Sequence, residues 1–92
     1  MAIWLKHNGD TTLLYPKAGL GMPFSIDELQ TAVQGSIESL PYKHEGKIVG
    51  YLVHNPDGRG TFPRNEDISM HLGLAIYGDA LVCSPTELGK EN

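Results

Sequence analysis

The 92-residue chain has a single cysteine, Cys83. An intrachain disulfide is excluded, and with it the small stapled secreted domains, so a reducing compartment is the expectation. Long apolar runs are also missing, and nothing approaches the roughly 18 to 20 residues of a membrane span. The opening stretch, MAIWLKHNGDTT, has neither a basic start nor an apolar segment of signal-peptide length. A soluble, cytoplasmic protein follows from these absences.

Positive charge is scarce. Seven Lys and Arg stand against eleven Asp and Glu, a formal net charge of −4, and the basic residues are scattered. A non-specific nucleic-acid binder draws its affinity from phosphate neutralisation and needs the opposite balance. The acidity is in turn too modest and too spread for a DNA mimic. Hydrophobic residues at 40% and charged residues at 20% nevertheless describe an ordinary folded domain. One domain is expected, over residues 1–86, followed by a polar, frayed tail at 87–92. At this size only about 60 to 65% of the unfolded surface can be buried, so self-association would add needed stability.

Local signals give the element order. Residues 2–6 and 11–15 read as two strands joined through Asn8-Gly9-Asp10, a hairpin turn. The segment PKAGLGMP is rich in breakers and reads as a loop over residues 16–23 placed to cover a ligand. In FSIDELQTAVQG, Ser25 and Glu28 form a capping box, Phe24 and Leu29 a staple, Ile26, Leu29 and Val33 an apolar stripe, and Gly35 the left-handed stop. SIESLPYK and KIVGYLVHN are two further strands with a turn at residues 44–46. NPDGRG is a surface turn, Asn65 the N-cap of a second helix ending at Gly73, and LAIYGDALVCS a last strand bent at Gly78. The order ββ-α-ββ-α-β implies an α+β fold: a small, mostly antiparallel sheet of about five strands with both helices on one face.

Catalytic chemistry finds little purchase. Cys83 lies in the apolar run ALVC, where a thiol is inert. The four histidines, His7, His44, His54 and His71, lack the close spacing of a zinc site, so no metal is expected. Asp27-Glu28 and Glu66-Asp67 fall in the first turns of the two helices, where the dipole favours negative charge. AGLGMP has glycines but lacks the lysine of a phosphate-binding loop. Neither an enzymatic activity nor a cofactor is expected. Arg64, at the start of the second helix, and Arg59, in the preceding turn, are the cations best placed for an anion. Tyr42, Tyr51, Phe62 and Tyr77 are the aromatics that could stack on a base.

From Phe24 to Val82 the chain resembles a family of small phage and mobile-element proteins known only as a domain of unknown function. The resemblance rests on Leu29, Val33, Gly35, Ile37 and Glu38, then Pro63 and Asn65, then Gly73, Ile76, Gly78, Asp79 and Val82. Where members carry an alanine soon after the asparagine, this chain has Asp67, Ile68 and Ser69. The resemblance implies an accessory protein working in the host cytoplasm, and it adds Asn65 and Asp79 to the candidate site. It points to a counter-defence protein, a homo-oligomer that sequesters an anionic, nucleotide-like immune signalling molecule. The alternative is an interaction module that inhibits a host or phage protein by direct binding.

Overall fold

The computed structural model describes residues 1–90. Its first two strands, β1 (Ala2–Leu5) and β2 (Thr11–Leu14), form the expected hairpin, with Ile3 opposite Leu13 and Leu5 opposite Thr11. The connection closes with Lys6 N–H donating to the Asp10 carbonyl at 2.9 Å, while Gly9, at φ +97°, supplies the left-handed position that only glycine adopts freely.

Helix α1 (Ile26–Val33) starts on the anticipated capping box: Ser25 Oγ accepts from Glu28 N–H at 3.1 Å, and Glu28 Oε1 accepts from Ser25 N–H at 2.9 Å. Its far end differs from expectation. The left-handed residue is Gln34, at φ +62°, and Gly35 follows at φ +149°. Gly35 is required there for another reason, since a Cβ would lie 2.7 Å from Asn55 Nδ2, the group that donates to the Val33 and Gln34 carbonyls. Ile26 also departs from the apolar stripe and is exposed, so the buried face of α1 is Leu29, Ala32 and Val33.

Strands β3 (Glu38–His44) and β4 (Lys47–His54) are joined by a two-residue turn in which Glu45 and Gly46 both have positive φ, the geometry that matches strand twist. Helix α2 (Glu66–Leu72) ends on left-handed Gly73 as anticipated. The last strand, β5, covers only Ala80–Cys83 rather than the whole run from Leu74. Gly78, at φ +82°, breaks the run, and residues 74–79 form a connection that touches Arg64 through a single backbone bridge at Tyr77.

All pairings are antiparallel and the spatial order is β2-β1-β5-β4-β3. The short β5 is therefore central, and Pro41 sits in an edge strand, where the missing N–H costs no ladder bond.

The helices do not share a face. Side chains alternate along a strand, so Val53, Leu81 and Cys83 point one way and Leu52, Ala80 and Val82 the other. The first set packs with Ala2, Phe24, Leu29, Ala32 and Val33 under α1. The second packs with Ile68, Leu72 and Ile76 around α2. The α+β class and five-stranded antiparallel sheet stand, but the architecture has three layers, with α1 and α2 on opposite faces. The physical reason is that both central strands are apolar at successive positions, and each side needs cover.

The segment expected to fray is folded as far as it is described. Pro85 leads into a single 3-10 turn at Thr86–Leu88, Leu88 packs on the α1-side core, and Glu87 is buried. Glu87 Oε1 accepts from Ser84 N–H at 2.9 Å, Oε2 lies 2.6 Å from the Met1 ammonium, and the Glu87 carbonyl accepts from Phe24 N–H. The remainder of the expected tail, residues 91–92, lies outside the described residues.

Candidate functional site

The residues singled out from sequence do not converge. Tyr42 lies on the α2 side of the sheet, stacked on His71 with ring centroids 5.3 Å apart. Tyr51 lies on the other side, with Lys90 Nζ 4.6 Å from its ring centroid. Opposite faces of one sheet cannot hold the same base within one chain. Phe62 is spent on packing, because it fills the space that a Cβ at Gly58 or Gly78 would enter, at 3.2 and 3.1 Å.

Asn65 is buried and is no side-chain cap. Its Nδ2 donates to the Leu5 carbonyl at 3.1 Å and the Gly78 carbonyl at 3.0 Å, tying β1 to the connection before β5. Asp79 has a similar task. Its Oδ1 accepts from His7 N–H at 2.9 Å and faces His7 Nδ1 at 3.0 Å, and Lys6 Nζ lies 3.7 Å from Oδ2. Arg64 is exposed, 3.6 Å from Glu66, and Arg59 is exposed in its turn. The hollow beside the start of α2 measures about 240 Å³ and is lined by His7, Asn8, Gly9, Asn65, Glu66 and Asp67. Two carboxylates there oppose the anion that its arginine suggested.

A larger cleft lies elsewhere. It measures about 370 Å³ and runs between α1 and the β1–β2 hairpin, lined by Trp4, Leu14, Tyr15 and Lys17 on one side and Ser25, Asp27, Glu28, Thr31 and Ala32 on the other. Each wall is pinned. Trp4 Nε1 donates to the Ala32 carbonyl at 3.2 Å, and Lys6 Nζ sits 3.4 Å from the Trp4 ring centroid. Glu28 bridges helix and loop: Oε1 takes Ser25 N–H and Oε2 takes Lys17 N–H at 2.8 Å. These backbone hydrogen bonds, first from Ser25 and then from Lys17, hold the Glu28 carboxyl below the usual carboxylate range. The volume falls within the range of small-molecule sites, and the lining joins an aromatic pair and an aliphatic floor to a few charged groups.

These residues escape sequence reasoning because the hairpin shows only strand and turn signals. A signal was present: Trp4 on β1 and Leu14 on β2 share one face of the hairpin. The loop expected to cover a ligand does adjoin this cleft through Lys17.

Cys83 is buried in β5, and burial first, then the nearby Glu87 charge, pushes its thiol up to about 12. His54 is buried with Nε2 3.6 Å from Glu38 Oε1. Among the described residues, no helix is long and apolar enough to cross a membrane. No protein-family model, curated protein or solved structure matches this chain.

Proposed function

We propose that the protein acts by binding rather than by catalysis, and that it sequesters a nucleotide-like molecule in the cleft between α1 and the β1–β2 hairpin. The observation that supports this most directly is the pairing of Trp4 and Tyr15 in a pinned cleft of about 370 Å³. A base stacks on the indole or phenol face, which contributes about 1 to 3 kcal/mol per base. Lys17, on the cleft wall, supplies positive charge for a phosphate. Asp27 accepts hydrogen bonds from a base's amino group, since Glu28 is already committed to two backbone amides. A counter-defence role in a host cell is the setting in which binding without turnover is sufficient.

Trp4 is the sole tryptophan, so its emission reports occupancy of the cleft directly. Titration with cyclic dinucleotides and ADP-ribose derivatives should give saturable quenching with a Kd at or below about 10 µM for one of them. Tyr15→Ala and Lys17→Glu should each weaken that response at least tenfold without lowering the melting temperature. Unchanged emission with every ligand at about 100 µM would sink the reading. A stoichiometric protein retained from host lysate, with no quenching, would favour direct inhibition of a protein instead.

A further inference from the structure

We propose that two copies of this chain pair β2 to β2 in antiparallel fashion, giving one continuous sheet across a two-fold axis. The two edges of the sheet are unlike. β3 carries Pro41, a register shift at Tyr42/Lys43, and Lys43 and His44 at its end, the features that protect an edge from pairing. β2 has none of these, being Thr-Thr-Leu-Leu.

The hairpin geometry fixes which β2 groups point outward. Lys6 and Asp10 form a hydrogen-bonded position, so with strict alternation Trp4–Thr12 and Ala2–Leu14 do the same. Thr11, Leu13 and Tyr15 therefore turn their N–H and C=O groups away from β1. A two-fold axis at Leu13 satisfies them together: Leu13 meets Leu13 of the second copy, and Thr11 meets Tyr15 of the second copy.

The side chains agree with this register. Of the eleven large apolar side chains left exposed among the described residues, seven fall within the first 26: Met1, Ile3, Leu13, Tyr15, Leu20, Met22 and Ile26. Ile3 and Leu13 are cross-strand neighbours on the sheet face away from α1, so pairing extends them into a row of four apolar side chains across the axis. Residues 11–16 carry no charge, which removes like-charge repulsion at an axis between two molecules of net charge −4. Just outside that stretch, Asp10 of each copy approaches the turn bearing Lys17 of the other, an opposite-sign pair at each end. On the α1 side, Thr12 of one copy stands opposite Leu14 of the other, so each copy extends the wall of its neighbour's cleft.

The full chain should sediment and elute at twice its monomer mass. Leu13→Lys places two ammonium groups at the axis from an exposed position, and should weaken dimerisation at least about a hundredfold while the far-ultraviolet spectrum stays native. Leu13→Cys should oxidise to a disulfide-linked dimer, because residues opposite one another at a hydrogen-bonded antiparallel position have Cα atoms about 5.5 Å apart. The wild-type chain, with only its buried Cys83, should not cross-link. A monomer at about 100 µM, or a dimer that Leu13→Lys leaves intact, overturns the proposal. A dimer in which Leu13→Cys fails to cross-link overturns the Leu13-centred register.

Discussion

Asn65 stands immediately before α2, where asparagine, aspartate and serine serve almost interchangeably as caps. Its amide instead donates to the carbonyls of Leu5 and Gly78, residues from two different parts of the chain. The two roles predict different mutational patterns. A cap lost to alanine costs about 1 kcal/mol, whereas one buried and one partly buried carbonyl left without this donor should raise the cost of Asn65→Ala to about 2 to 3 kcal/mol in urea unfolding. Asn65→Asp separates the roles cleanly. Aspartate is as good a cap, but its carboxylate would face two carbonyl oxygens, so it should destabilise at least as much as alanine. Arg64→Ala, next door, should leave stability within about 0.5 kcal/mol, because the exposed pair with Glu66 at 3.6 Å contributes little. Sequence placed Asn65 correctly and misassigned its work. The cap is a local pattern, and the clamp depends on Leu5, sixty residues away.

At the scale of elements, α1 is held by its ends. Glu28 closes the capping box and also fastens the loop through Lys17 N–H, so its charge matters to both. Its folded pKa lies below the ordinary value of 4.5, so the unfolded chain binds this proton more readily. The associated stability is present above the ordinary carboxylate range and is lost as pH falls through the folded value. Thermal unfolding between pH 6 and pH 2.5 should show this as an acid limb that Glu28→Gln flattens. The central strands have a tighter constraint. A Cβ at Gly50 would lie 2.6 Å from the Cys83 carbonyl oxygen, which is backbone and cannot swing away. Gly50→Ala should therefore cost about 3 kcal/mol by prising β4 from β5, measured as a lowered urea midpoint.

Element existence and order were legible because each depends on neighbours in sequence: the capping box, the Asn-Gly turn, the paired positive-φ residues at 45–46. Helix placement was not, although it left a trace. YLV in β4 and ALVC in β5 are apolar at successive positions, and a strand apolar at successive positions needs cover on both faces. The apolar residues on both sides of Gly78-Asp79 read as one bent strand, whereas β5 begins only after that break, at Ala80.

For the whole molecule, the radius of gyration of 12.3 Å is about that of a tightly packed single unit of this length. The three layers share one central strand, and Cys83 sits on it in the core under α1, with β4 alongside. Two barriers guard the thiol. Its pKa is pushed up to about 12, so almost none is thiolate at pH 8, and its side chain is closed off from solvent. The edge strands β2 and β3 can fray without uncovering Cys83, whereas exposing it requires α1 to lift or β5 to lose a neighbour. Reaction with a thiol reagent at pH 8 should therefore be slow in water and complete within seconds in 6 M guanidinium, and in native buffer it should follow the globally open population. On that basis Asn65→Ala, on the opposite side of the sheet, should speed labelling about 30- to 150-fold, the factor set by a loss of about 2 to 3 kcal/mol. Labelling measured alongside urea unfolding checks the linkage. If Asn65→Ala lowered the urea midpoint but left the Cys83 rate unchanged, the two faces would open separately and β5 would not join them into one cooperative unit.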